Sequence, residues 1–233
     1  MYSHRMTNSK PTTHRHREAT RIILRPIGSG LPLGLFALAI GTLLTGGAAF
    51  GIIPTSEIQQ VGLMLVLFAF PLELLAAILA FMARDTMSAT AFALFSASWL
   101  SIGMGLRLSE PGSTSAAVGM FELGVAISVA VLAVLAAKAK PYITILMGLS
   151  ALRLAAHGIY ELTSIQAWYT AVGVIAVLIV IGSLYGATAF ILEDMHQREV
   201  LPLFRKRHAE EAFHGFEHQL DRLEAEPGIR QQL

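Results

Sequence analysis

Six apolar stretches, each long enough to cross a bilayer, fill most of this 233-residue chain and leave few folds open to it. They are Leu31–Ile53, Ile58–Met82, Ser88–Leu106, Ala116–Ala136, Tyr142–Leu162 and Ala167–Leu192. A hydrocarbon core about 30 Å thick needs roughly 20 helical residues at 1.5 Å rise each. A backbone inside lipid must satisfy its own hydrogen bonds, so only helices or a closed barrel can span. Alternation of apolar and polar residues over strand lengths is absent, which points to an all-α membrane protein of six transmembrane helices. Short polar breaks separate the runs: Pro54–Glu57, Arg84–Asp85, Ser109–Gly112, Lys138–Pro141 and Thr163–Ser164. Such short connections make consecutive helices antiparallel neighbours. The expected organisation is a basic tail over residues 1–30, a six-helix domain over 31–192 and a second tail over 193–233.

Composition agrees with this class. Hydrophobic residues make up 54% of the chain and charged residues 14%, whereas a soluble domain carries about 25% charged residues. With no cysteine, disulfides, thiolate chemistry and Cys-ligated metals are excluded. The first twenty-odd residues are polar, so no cleavable signal peptide is expected. Lys and Arg gather on one side of the alternating helices. Arg5, Lys10, Arg15, Arg17, Arg21 and Arg25 lie in the first tail, Arg84 in the second connection, and Lys138 and Lys140 in the fourth. Arg198, Arg205, Lys206 and Arg207 lie in the last tail, against Arg107 alone on the opposite side. This asymmetry predicts that both termini are cytoplasmic, in a multi-pass protein of the plasma membrane. Gly47 and Gly51, Gly182 and Gly186, and the Ala76, Ala80, Ala83 ridge predict close helix packing.

Ionisable groups inside the runs are few: Glu73, Glu122, Arg153, His157 and Glu161. Charges at that depth are expensive and face partners or wet cavities. Glu73 falls about 13 Å, and Arg153 about 17 Å, from the inner side, close enough in level to form an intramembrane charge pair. Two readings stay open for Arg153: a guanidinium presented to a substrate carboxylate, or a structural bridge that neutralises Glu73. Arg153, His157 and Glu161 recur every four residues and line one helix face, which suits a proton path or, equally, hydrogen bonds to a neighbouring helix. Phe92, Phe95 and Trp99 recur at helical spacing, and an apolar ring in a pore gates by dewetting. Such a ring resists a carboxylate far more than the protonated acid. Thr42, Thr90 and Ser98 supply hydroxyls on either side, and helix packing is the other use for these aromatics. In the tails, Ala209, Phe213, Phe216, Leu220 and Leu223 predict a short amphipathic helix. His214 and His218 read as ordinary solvated residues, and the His14–Arg17 run serves topology and anionic lipid contact rather than nucleic acid. No metal motif, no cofactor motif and no Ser/His dyad or paired carboxylates appear, so the chain is not expected to be an enzyme.

Three segments are similar to a known family. Ser29-Gly30-Leu31-Pro32-Leu33-Gly34-Leu35 stands where the family has Asn-Pro-Ala-Pro-Leu-Gly-Leu. Thr90-Ala91-Phe92-Ala93-Leu94-Phe95-Ser96-Ala97-Ser98-Trp99 is close to its Thr-Ala-Phe-x-x-Tyr-Gly-x-Phe-Trp, with Phe95 replacing the tyrosine and Ser98 the phenylalanine. Arg198-Glu199-Val200-Leu201-Pro202-Leu203 resembles Arg-Thr-Val-Leu-Pro-Ile. These motifs resemble the acetate uptake transporters, which include bacterial succinate–acetate permeases and the yeast acetate and ammonia transport proteins. The resemblance implies a six-helix protomer with its own pore, assembled as a hexamer, and a signature at Pro32, Leu33, Gly34 and Leu35. It implies an apolar constriction at Leu38, Phe95 and Leu149. The function expected is transport of acetate or a similar small monocarboxylate, with proton coupling as one form. Transport of ammonia or another neutral solute, and a non-transporting scaffold or sensor, are the alternatives.

Overall fold

The structure, a computed structural model, describes residues 28–137, 141–196 and 198–204. Most of the basic first tail, Lys138 and Lys140, the 209–223 stretch and the tail histidines lie outside the described residues. Six helices are long and apolar enough to cross a membrane: α1, Leu31–Ala49; α2, Thr55–Met82; α3, Thr86–Leu108; α4, Ala116–Ala136; α5, Pro141–Thr163; and α6, Gln166–His196. With Leu67, Ile127 and Val134 turned outward and exposed, the molecule is a multi-pass membrane protein, all-α in its described residues.

Local chemistry sets the helix ends. Pro32 stands in the first turn of α1, where its missing N–H leaves no bond unmade. Asp85 caps α3, accepting from the Ser88 amide at 3.2 Å and from the Ser88 hydroxyl at 2.7 Å. Ser115 caps α4 through the Val118 amide at 3.4 Å. The α1 helix stops short of the expected Ile53. Gly51 adopts φ +69°, and the amides of Ile52 and Ile53 both return to the Gly47 carbonyl, at 2.9 and 3.2 Å. Gly51 is therefore a turn residue, and the Gly47–Gly51 pair is not a packing ridge. In α2, Pro71 lacks the amide for its own helical bond and crowds the preceding turn. The chain widens there into a π turn over Leu65–Ala69 before α-helix resumes at Phe70.

The helices close into a ring in chain order, with α6 packed back against α1. Three crossings in this ring are glycine-dependent. A Cβ on Gly103 of α3 would come within 2.8 Å of the Gly62 carbonyl of α2. One on Gly158 of α5 would come within 2.9 Å of the Gly119 carbonyl of α4, and one on Gly46 of α1 within 2.8 Å of Ala176 Cβ of α6. Gly46, Gly103 and Gly158 occupy matching places on α1, α3 and α5. The chain thus repeats one two-helix unit three times, and the three odd-numbered helices run parallel.

Candidate functional site

Two small cavities lie inside the ring, end to end. The lower one, toward the N-terminal ends of the odd helices, is lined by Leu31, Leu35 and Leu38 of α1, by Met87, Ser88, Ala91, Phe92 and Phe95 of α3, and by α5 from Ile143 to Ser150. The upper one is lined by Leu38, Thr42, Phe95, Ser98, Trp99, Ile102, Ser150, Arg153, Leu154 and, from α6, Ile179. Leu38, Phe95 and Ser150 belong to both and form the partition between them. The space open to a water centre is about 10 Å³ above and about 30 Å³ below. One ordered water needs about 10–15 Å³ on that measure, so this conformer is closed to anything of acetate size.

The upper cavity is chemically unusual for its depth. Arg153 is 5% exposed. Its terminal nitrogen donates to Thr45 Oγ1 at 2.5 Å, and its guanidinium carbon lies 5.5 Å from the centre of the Trp99 ring. Its Nε has no acceptor, and the Thr42 hydroxyl, which lines the same cavity from α1, has no partner. Thr45 spends its own proton on the Gly41 and Thr42 carbonyls, at 3.1 and 3.2 Å, so its oxygen is free to accept from the arginine. The Ser98 and Ser150 hydroxyls are likewise satisfied by the carbonyls one turn back, Leu94 and Leu146, both at 2.9 Å.

The expected Glu73–Arg153 pair does not form. Arg153 makes no ion pair with any described carboxylate, and the buried Glu122 stands on α4, the helix packed against its own. The reason is topological. Glu73 stands on α2 and Arg153 on α5, which are not packed against each other, and the Arg153 guanidinium lies over the Trp99 ring of α3 instead. Glu122 is fully buried and meets His157 Nδ1 at 2.6 Å. The other ring nitrogen of His157 lies 3.8 Å from Glu161, which accepts from the Ser115 amide at 2.6 Å. Tyr160 and Tyr169 stack 4.6 Å apart beside this row, each 6.0 Å from the imidazole.

Of the residues singled out in the sequence, the structure brings Leu38, Thr42, Phe95, Trp99 and Arg153 together around the upper cavity. Leu35, Leu38, Phe92 and Phe95 line the lower one. Gly34 backs the Phe92 ring so closely that a Cβ would overlap it. Pro32 and Leu33 line neither cavity. Thr90 returns its proton to Thr86 at 2.7 Å and also lines neither. Leu149 is turned aside by one helical step, about 100°, and Ser150 stands at the partition instead. His157 and Glu161 lie beside the cavities rather than in them. Thr45, Ser150 and the joining role of Glu122 are the residues sequence reasoning missed. The recurrence of Gly46, Gly103 and Gly158 was the signal that could have aligned the three walls.

The family model described as the GPR1/FUN34/yaaH family matches residues 13–204. Among curated proteins there is no significant match. Among solved structures, the bacterial acetate channel SatP is similar over 76% of this chain and 99% of its own, at 19% identity and a TM-score of 0.67. At that identity the likeness establishes the fold.

Proposed function

The chain belongs to the GPR1/FUN34/yaaH family, and from that membership we propose that it conducts acetate or a similar small monocarboxylate across the plasma membrane. The resemblance to acetate uptake transporters seen in its motifs is borne out. The observation that carries the reading is the buried Arg153 at the upper cavity, with an unused Nε donor, and the unused hydroxyl of Thr42 lining the same cavity. Unspent donors around a permanent cation suit a carboxylate. Thr45 and the Trp99 face hold the guanidinium while the substrate site is empty.

The route runs past Leu38, Phe95 and Ser150, where two of three groups are apolar. A carboxylate loses hydration there at high cost and its protonated form at little, so the acid crosses the partition neutral and meets Arg153 beyond it. The Glu122–His157–Glu161 row then offers a path for the released proton toward the C-terminal end of α5. The Lys and Arg bias supports cytoplasmic termini. The family resemblance supports a homo-oligomer, a hexamer, with one pore per protomer.

The test is uptake of labelled acetate into proteoliposomes by the wild-type protein and by Arg153→Gln. Uptake should fall at least tenfold in a variant that still elutes as the folded oligomer. Undiminished uptake in a folded Arg153→Gln protein refutes the substrate-site reading.

A further inference from the structure

The bond between Arg153 and Thr45 lies close to the upper end of the bundle. α1 stops at Ala49, so Thr45 stands only about 6 Å along the axis from the end of its helix. Both residues are nevertheless buried, so other side chains cover them. The cover is a small apolar cluster of Ala49, Ala156 and Val172, with the Tyr169 ring packed against it. Ala49 is one turn beyond Thr45 on α1, and Ala156 is three residues beyond Arg153 on α5. Val172 is one turn above Ala176, the residue of α6 that meets Gly46 of α1. The cluster therefore fills the helical turn directly above the arginine. It is separate from the main core, which holds Leu38, Phe95, Trp99 and Leu154. The arginine layer thus lies between two apolar seals, the partition below it and this cluster above.

The upper seal is unequal in its parts. Two of its three buried members are alanines, and Tyr169 is its one large side chain and the only one of the four still partly exposed. The Tyr169 ring stacks on Tyr160 at 4.6 Å, with 23° between the planes, and Tyr160 is itself partly exposed. A single aromatic pair at a surface is a weak enough contact to open in thermal motion. From this geometry we propose that Tyr169 is the upper gate of the conduit. Seated on Ala49, Ala156 and Val172 it occludes Arg153; swung away from Tyr160 it uncovers a passage over two alanines to Thr45 and the guanidinium. The inference rests on the reading of the upper cavity as the substrate site. It adds a residue that lines neither cavity, on the far side of the arginine from Leu38, Phe95 and Ser150.

The chain has no cysteine, so Thr42→Cys places a single thiol on the wall of the upper cavity. Its reaction with an anionic, membrane-impermeant methanethiosulfonate is followed from each face of the membrane in turn. Tyr169→Ala should speed that reaction by about tenfold or more from the face on which Ser113→Cys reacts, and by less than about twofold from the other. Tyr169→Phe, which keeps the ring and the stack, should stay within about twofold of the parent, and Tyr160→Ala should speed the reaction about threefold. An unchanged rate in Tyr169→Ala, absence of reaction included, overturns the proposal. Equal acceleration from both faces, the mark of a loosened fold, also overturns it. Should Tyr169→Ala not assemble, Tyr160→Ala decides: no acceleration there overturns the gate. The rates are read without acetate, so their outcome is independent of whether Arg153→Gln abolishes uptake.

Discussion

Removal of the Arg153 charge should be felt at Glu122 and not at Glu73. Arg153→Met deletes the bond to Thr45, a hydrogen bond from a charged donor of about 1.5–3 kcal/mol. It also deletes the contact with the Trp99 face, about 2 kcal/mol when desolvated. The methionine stem recovers part of the packing, so a net loss of about 3–4 kcal/mol is expected. Part of that loss is the positive field that Arg153 sets up at Glu122, buried on the adjacent helix. Glu122→Gln removes that part, and it preserves an oxygen for His157. The pair of substitutions should therefore lose about 1–3 kcal/mol less than the two singles added together. Glu73→Gln combined with Arg153→Met should be additive within about 0.5 kcal/mol, since the two side chains sit on helices that are not packed against each other. Reversible unfolding in mixed micelles, followed by the tryptophan signal for all six proteins, measures both couplings. A Glu73 coupling equal to or larger than the Glu122 coupling refutes this account of the site's electrostatics.

The glycine crossings should be sensitive in proportion to the space behind each glycine. Gly103→Ala drives a methyl against the Gly62 carbonyl and Val66, both at 2.8 Å, and should be destabilising by about 1–3 kcal/mol. Gly124→Ala, with nothing within 4 Å, should be neutral or stabilising by up to about 1 kcal/mol from helix propensity; equal losses in thermal stability at both sites would count against the crossing. For topology, a cysteine at Ser113 should react with an impermeant maleimide in intact cells and one at Arg84 should not. Reaction at the Arg84 position alone would reverse the orientation.

The six helices were legible because each apolar run carries its own signal, independent of the others. Their ends were less so. The Ile52 and Ile53 side chains extend the apolar run past Ala49, while the fold there is decided by the backbone of Gly51. Arg153 was legible as a deep arginine by its place in the run, with its role open between a substrate contact and a structural bridge. Its partner was not, because linear depth gives level and says nothing of which helices are neighbours. Glu73 and Arg153 share a level yet stand on helices that are not packed against each other, whereas Glu122 sits on the helix packed against α5. Leu149 and Ser150 differ by one residue, and a one-residue offset in a helix carries a side chain off the cavity wall altogether. Thr45 carries no motif, and its role follows only from the arginine that reaches it across the ring.

A wall assembled from three copies of one unit would, if the copies were identical, leave a passage centred on its axis. Here the equivalent steps on α1, α3 and α5 hold Gly41, Ser98 and Arg153, and one residue on they hold Thr42, Trp99 and Leu154. All the positive charge at that height therefore belongs to one third of the circumference. If the chain conducts anions as proposed, a permeating anion is drawn off-centre, toward α5, and along the Trp99 plane instead of through the middle. Selectivity in such a conduit can drift one sector at a time. An exchange at Gly41 or Ser98 reshapes the track from the far side, while the crossings at Gly46, Gly103 and Gly158 keep the barrel itself unchanged.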